Sequence, residues 1–532
     1  MRITKIFIVT LTFIVISLPL FGHFWTSGDL SAHYYRLISI KHQLETHQFP
    51  MYFDFVTDNM QGYGYSWNLF YPPLTAFLYT IIELLSFNSI DAVIQLKISI
   101  AIISAINFFI MYFSVKRIFN SSQIAFISAI LSVTSYYFLY NQYTRSAFPE
   151  ALAMSFVPLL LLGLFGYINN NKNKIYLPLS FSLILLTNIP ATIVTLIFIT
   201  LFVVIFHKKF IEQYRDVILH SFIVIGITSF FILPLYYTSK GDIYAFTSMK
   251  SSYESMWKLT IPVINLIIPT RTTEYPFRLI TPGWVIMGLI IALFTMKKNG
   301  DKLSSMLDGH HKVAISISLL FIIMCSQMFP WNHIPKQLPV LNFIQFPWRM
   351  MLISSPILCI FAALTLVKIA QESQGKKGLI YIVIFSSIIL SMYASTSPFD
   401  NKARLPWYQV YLDYMPNNMA RKINEIKKTK KEPIVLSGNG SIVSARLTGG
   451  YPTYKYICMD DCTIQLPVIP YRGYEVEGVK SFSENNMGLM QVNVSKGSGQ
   501  INLKYNPIII YISYGITLIT IILLLYFTRR KS

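Results

Sequence analysis

The chain has 532 residues, 53% of them hydrophobic and 13% charged, with a formal net charge of +20 and a mean hydropathy of +0.49. A soluble globular domain carries about 25% charged residues, so this composition excludes a water-soluble enzyme. It does not describe a nucleic-acid binder either, because the surplus Lys and Arg gather in short loops between apolar runs, the positive-inside pattern of membrane proteins.

Apolar runs long enough to cross a hydrocarbon core of about 30 Å recur along the chain. Barrel strands would be short and alternating, so an all-α polytopic membrane protein is expected. The first run, 6–24, follows Arg2 and Lys5. It exceeds a signal-peptide core and lacks a small-x-small cleavage site, so it reads as a retained anchor. "SGDLSAHYYR" (27–36) follows. Asp29, His33 and Arg36 are spaced i, i+4, i+7 and share one helix face. Leu30, Tyr34, Leu37 and Ile38 give the other face, suited to lying on a membrane. Asp29 could simply cap the helix, with His33 and Arg36 solvated.

The segment "FPMYFDFVTDNMQGYGYSWNLFYPPLTAFLY" (49–79) adds two acids, Asp54 and Asp58, and an aromatic, turn-rich strip that includes Tyr63 and Tyr71. Such rings are either interfacial belt anchors or the stacking floor of a carbohydrate groove. The apolar stretch 72–87 is short and contains Glu83. If it crossed the membrane, the sidedness of every later loop would invert. If it lies at the interface, Lys116/Arg117, Lys172/Lys174, Lys208/Lys209/Arg215, Lys297/Lys298/Lys302, Lys376/Lys377 and Arg529/Arg530/Lys531 all share the side of Arg2 and Lys5. That consistency predicts about twelve spans with both termini cytoplasmic in a multi-pass cell-membrane protein. They fall near 6–24, 92–115, 123–140, 149–168, 174–188, 190–206, 217–236, 282–296, 313–329, 348–368, 379–394 and 507–527.

The span centres are almost free of ionisable groups, unlike a transporter's pathway. Asp29, Glu150, Asn188 and Arg349 sit instead at outer ends. "NQYTRSAFPEALA" (141–153) brings Arg145 and Glu150 to the headgroup level, as an ordinary ion pair or part of a site. "NFIQFPWRM" (342–350) supplies Gln345, Trp348 and Arg349. A guanidinium fork there could bind a phosphate or snorkel to lipid headgroups. His310 and His311 are expected in a cytoplasmic loop, and the histidines suggest no metal centre. No HExxH, glycine-rich phosphate loop or nucleophile elbow is present. Segment 395–506 changes character, with Gly-rich turns and alternating runs that predict a small extracytoplasmic β-rich domain. Cys458 and Cys462 could close a disulfide if that segment is extracytoplasmic. The expected organisation is therefore a membrane domain over 1–394 including the outer loop 25–91, the β-rich domain over 395–506, and a final span with its tail over 507–532.

Taken together, "GDLSAHYYR", "QGYGYSWNLFYPPL", "RSAFPEALA", "LLTNIPATI" and "IQFPWRM" resemble the bacterial membrane family labelled 6-pyruvoyl-tetrahydropterin-synthase-related, close to YfhO-like proteins. The order of one span, a long outer loop with an early acid, an interfacial helix and a second outer cluster resembles the GT-C glycosyltransferases. The resemblance implies a transferase that moves a sugar from a polyprenyl-phosphate carrier to an extracytoplasmic glycan or lipid acceptor. It places the first-loop acid on Asp29, as base or positioner for the acceptor hydroxyl, and the second-loop acid on Glu150. It sets Arg349 near the lipid phosphate, with His33, Arg36, Tyr63, Tyr71, Arg145, Asn188, Gln345 and Trp348 as binding residues. Asn188 stands where relatives often carry His, so a proton-transfer role does not carry over. No cofactor is expected; a divalent metal is possible but not required. The competing readings are a flippase of lipid-linked sugars and a non-catalytic glycan-binding scaffold.

Overall fold

A computed structural model describes residues 2–22, 29–57, 60–245, 253–267, 280–298, 301–331, 341, 344–372, 377–396, 411–428 and 430–530. The chain is mostly helical, with a β-rich region before its last helix. Asp58 lies outside the described residues. Chain packing divides the protein into two units, Met1–Ser31 with Val93–Val224 and Ser251–Leu405, and Ala32–Ala92 with Ile225–Lys250 and Pro406–Ser532. The division differs from the boundaries expected from sequence, since most of the first outer loop groups with the β-rich region.

The first unit is a stack of apolar helices. Among the described residues of the whole chain, six helices are long and apolar enough to cross a membrane: Ile3–Phe21, Ala92–Phe119, Phe148–Ile168, Tyr214–Ser239, Pro347–Gln371 and Ile508–Tyr526. Ser122–Val133 and Tyr136–Thr144 form a seventh candidate, bent by 43°. The other expected spans appear as shorter helices, such as Ile189–Ile205 and Gly309–Cys325. An 18-residue stretch of Pro347–Gln371 is entirely buried within the protein. Neutral polar side chains clasp helices inside the apolar layer. The Ser132 hydroxyl donates to Asn107 Oδ1 at 2.7 Å, and Gln142 Nε2 donates to the Ser104 hydroxyl at 3.0 Å. Gly163 and Gly166 let the Val157–Ile168 helix close on the next segment; a Cβ there would stand 2.2 Å from the Leu177 nitrogen and 2.3 Å from the Lys174 nitrogen. Basic loops meet at one end. Lys174 pairs with Asp216, Gln213 Nε2 donates to the Tyr167 carbonyl at 2.8 Å, and Arg117 reaches Asn173. A two-residue hairpin, β1 (Lys297–Lys298) and β2 (Asp301–Lys302), joins two helices of this unit.

The second unit contains β3 (Ile434–Ser437), β4 (Gly440–Thr448), β5 (Tyr451–Cys458), β6 (Cys462–Gln465), β7 (Tyr474–Glu477), β8 (Ser481–Glu484), β9 (Met490–Val494) and β10 (Gly497–Tyr505). They make two four-stranded antiparallel sheets, ordered β4-β5-β10-β7 and β3-β6-β9-β8. Met490, Val492 and Val494 alternate inward along β9, the period-two burial of a half-covered strand. Gly449 and Gly450 both have positive φ at the β4–β5 turn, where a two-residue hairpin demands it. Cys458 and Cys462 are disulfide-bonded between β5 and β6.

The strip 49–71 supplies the aromatic core of this unit. The Phe53 ring lies 4.7 Å from Tyr505 and 5.0 Å from Tyr474, Tyr65 lies 4.9 Å from Trp67, and Phe70 stacks on Tyr414. Burial pushes the phenols of Tyr65, Tyr471 and Tyr474 well above their ordinary value. The helix Leu74–Leu85 has 12 residues, about 18 Å of rise, too short to cross a bilayer. It exposes Phe77, Ile81, Leu84 and Leu85 along one side.

Candidate functional site

The first unit gathers four of the ionisable residues singled out in the sequence. Chain geometry explains how. Tyr140–Thr144 form a π-helical turn whose last bond runs from the Arg145 amide to the Tyr140 carbonyl at 2.8 Å. Ser146 then takes φ 55°, the left-handed region that a residue with a Cβ seldom adopts. The chain reverses, and Phe148–Ser155 begins with Pro149 in its first turn, followed by Glu150. Pro fits there because that amide has no helical acceptor, and a carboxylate is favoured at the positive end of a helix. The second arm is built alike. Gln345 has φ 64°, Phe346 is extended as a residue before Pro tends to be, and Pro347–Met350 make a 3₁₀ turn that carries Trp348 and Arg349.

Glu150 is fully buried and both its oxygens are engaged. Tyr137 Oη donates to Oε1 at 2.5 Å, Arg145 Nη1 donates to Oε2 at 2.6 Å, and Arg349 Nε donates to the same Oε2 at 3.0 Å. Arg349 Nη1 also donates to the Ile344 carbonyl and to Gln345 Oε1, at 2.9 and 2.6 Å. Both guanidinium groups lie over Phe346, 5.2 Å from Arg145 and 5.0 Å from Arg349, and the Trp348 ring stacks on Phe346 at 4.5 Å. Two cations thus share one buried carboxylate. Arg145 Nε and Nη2 and Arg349 Nη2 make no hydrogen bond among the described residues.

Asp29 closes the cluster. Its amide donates to the Arg145 carbonyl at 2.8 Å, and its carboxylate lies 3.7 Å from Arg145 Nη2 with 48% of the side chain exposed. Its charge is turned to Arg145. The sequence paired it with His33 and Arg36, but the partner it finds is 116 residues on, a contact that the local spacing could not reveal.

The remaining expected binding residues go elsewhere. Arg36 is buried in the second unit and clamps the turn before Leu74. It donates to Asn68 Oδ1 at 3.1 Å, to the Thr75 hydroxyl at 3.0 Å and to the Pro72 carbonyl at 2.9 Å, with Tyr71 under its guanidinium at 4.6 Å. His33 is buried against Tyr71. Neither is solvated, and the Leu30/Leu37 side expected on the membrane surface is buried too. Tyr63 packs inside, with its carbonyl accepting from the Ile469 amide at 2.8 Å. Asn188 caps the Ile189–Ile205 helix, its Oδ1 accepting from the Ala191 amide at 2.8 Å. Arg36 and Asn188 are held by these hydrogen bonds, and His33 and Tyr63 by the rings and backbone packed around them. The second unit also has a largely apolar cavity of about 170 Å³, lined by Met51, Leu69, Phe77, Phe230, Phe231 and Tyr514 among others.

His310 and His311 also depart from expectation. They form the first turn of Gly309–Cys325, and both are buried, because Phe165 and Phe119 pack on their rings.

Residues 69–398 match the model of a family described as 6-pyruvoyl-tetrahydropterin synthase related domain, membrane protein. An uncharacterized protein of Lactococcus lactis subsp. cremoris (strain MG1363) is 25% identical over 326 residues, which is 58% of this chain and 51% of that protein. The chain therefore spans about half the length of that curated relative. The archaeal oligosaccharyltransferase AglB from Archaeoglobus fulgidus, solved in complex with an inhibitory peptide and a dolichol-phosphate, superposes over 80% of this chain and 60% of its own, with a TM-score of 0.37 and 14% identity.

Proposed function

Because the chain belongs to the 6-pyruvoyl-tetrahydropterin synthase related family of membrane proteins, we propose that it is a glycosyltransferase of the GT-C kind. It moves one sugar from a polyprenyl-phosphate carrier to an extracytoplasmic glycan or glycolipid. The observation that carries the reading is the half-exposed Asp29 carboxylate 3.7 Å from Arg145, whose guanidinium shares the Glu150 carboxylate with Arg349, both cations keeping N–H donors that make no hydrogen bond among the described residues.

A carrier of this class keeps its lipid in the bilayer and its phosphate at the headgroups. Arg145 and Arg349 supply cationic N–H donors there, and charge-assisted bonds to phosphate oxygens are the strong kind. The acceptor hydroxyl gives its proton to Asp29 as its oxygen attacks the anomeric carbon. The bond between that carbon and the phosphate oxygen breaks, and its electron pair leaves on the phosphate. The two guanidiniums stabilise that growing charge. One displacement inverts the anomeric centre. Glu150 is a positioning residue in this scheme, because hydrogen bonds saturate both of its oxygens.

The test is purified protein in lipid nanodiscs, given a panel of polyprenyl-phosphate sugars and assayed for released polyprenyl phosphate. Asp29→Asn should slow release by about 10²–10⁴-fold, the worth of a positioned base, and Arg349→Ala should abolish it. Near-normal release from Asp29→Asn refutes the base, and a folded protein that turns over no donor in the panel refutes the activity.

A further inference from the structure

We propose that Asp308, His310 and His311 form a site for a divalent transition ion of the zinc class, at the opposite end of the first unit from the Asp29 cluster. This inference is independent of the transfer reaction. Glu150 and Phe165 belong to one apolar helical run, Phe148–Ile168, and fifteen residues of rise separate them by about 22 Å. The Phe165 ring lies 4.5 Å from His310 and 5.0 Å from His311. The histidines therefore sit with Arg117 and Asn173, at the end where the basic loops meet.

One imidazole nitrogen from each histidine and a carboxylate oxygen of Asp308 all lie within 4.8 Å of one another. Two histidines and one carboxylate, with a position left for water, form a recurrent zinc donor set. The rings are already fixed. Their centroids are 4.2 Å apart, and His311 stacks on Phe119 at 5.3 Å with Phe361 at its edge. His311 Nδ1 is buried and makes no hydrogen bond among the described residues, and Asp308 Oδ2 lies 3.8 Å from it. A buried ring nitrogen without a partner costs free energy, and a metal bond would satisfy it. Asp308 is positioned as an N-cap but its side chain caps nothing. It is exposed and can swing the remaining distance to a bound ion.

The cluster faces a polar cavity of about 160 Å³, whose lining includes Asn169, Asn171 and Asn173. Asn171 Oδ1 accepts from the Asn173 amide and Asn173 Oδ1 from Arg117, so water and the Asn169 side chain are the groups that would complete the coordination. Two features oppose a cation: the amide end of the Gly309–Cys325 helix, and Arg117. The helix end acts through partial charges. Arg117 also lines the cavity, but its guanidinium is held over Phe113 at 4.7 Å and Tyr176 at 5.5 Å and against Asn173 Oδ1 at 3.5 Å. An anion would meet the full charge of Asp308. A bound ion would tie the start of Gly309–Cys325 to the ends of Ala92–Phe119 and Phe148–Ile168.

The experiment uses the full-length protein in detergent, stripped with chelator and titrated with Zn²⁺ and with Co²⁺ as an absorbing substitute. One equivalent should bind, with visible Co²⁺ bands that shift on ligation by nitrogen. Asp308→Asn, an exposed change that spares packing, and His311→Gln should each weaken binding by at least about tenfold, since even partners of ligands are worth that much. His207→Ala, an exposed histidine elsewhere on the chain, should leave binding unchanged. Absence of a saturable site overturns the proposal, as does retention of full affinity in Asp308→Asn or saturable binding of inorganic phosphate in place of the metal.

Discussion

At the scale of the residue, Glu150 separates two jobs that the sequence left together. An acid entering the membrane beside an arginine could act as a base or as a counter-ion, and the proposed scheme assigns it the second because Tyr137, Arg145 and Arg349 engage both its oxygens. Removing its charge leaves two buried guanidiniums facing each other. Glu150→Gln should therefore lower the unfolding temperature in detergent sharply, by a loss on the order of 3–5 kcal/mol as for other broken buried pairs. Tyr137→Phe removes one hydrogen bond to a charged acceptor, worth about 1.5–3 kcal/mol, and should destabilise the protein less than Glu150→Gln. Asp29→Asn should not move the unfolding temperature measurably, because half of that side chain is in solvent. Finding Asp29→Asn as destabilised as Glu150→Gln would make Asp29 a structural acid. Asp54 gives a separate, pH-dependent case in the second unit. Burial by itself would raise its carboxyl, but the His42 imidazole, 3.7 Å away, and hydrogen bonds from the Thr57 amide and hydroxyl outweigh this and hold it below the usual carboxylate range. Its stabilising contribution is thus complete at neutral pH and is lost as pH falls through the lowered value. Unfolding temperature should stay flat to about pH 4, the ordinary aspartate range, and then drop; Asp54→Asn should flatten that drop.

At the scale of the element, several features were legible because they depend on neighbours close in sequence. The short helix Leu74–Leu85 was recognisable from its length and from the sidedness of the basic loops. The alternating runs between 434 and 505 were recognisable from period-two burial. What local pattern did not reveal is how closely helices approach. Gly163 and Gly166 look unremarkable in an apolar run, but backbone of the following segment occupies the space where their side chains would be. Gly163→Leu should prevent that contact and give a protein that aggregates on size-exclusion chromatography. A monodisperse product would mean the segment has another place to go. Asn188 is the milder counterpart. Loss of its cap in Asn188→Ala should cost about 1 kcal/mol without changing any transfer activity, a result that distinguishes a cap from a binding residue.

At the scale of the whole molecule, the sidedness inferred from Lys and Arg can be tested directly. Lys209→Cys should react with a membrane-impermeant maleimide only after the cytoplasmic face is opened, and Ser441→Cys should react on intact cells. Labelling of both from one side would invert the topology and remove the extracytoplasmic acceptor. The disulfide Cys458–Cys462 accords with an oxidising compartment for its segment. The sequence by itself determined the solvent of this protein, its helical class, its β-rich late segment and the set of ionisable residues at span ends, because hydropathy and charge act residue by residue and survive without any knowledge of contacts. Only the tertiary structure decided which of those residues meet. Arg36 and Tyr63 became part of a core, Asp29 and Arg349 joined one cluster through Arg145 and Glu150, and a pair of loop-like histidines became buried beside an acid. The reason is physical: a charge's role is set by what desolvates and pairs it, and Glu150 meets its Arg349 partner across 199 residues of chain, a separation over which no local pattern carries information.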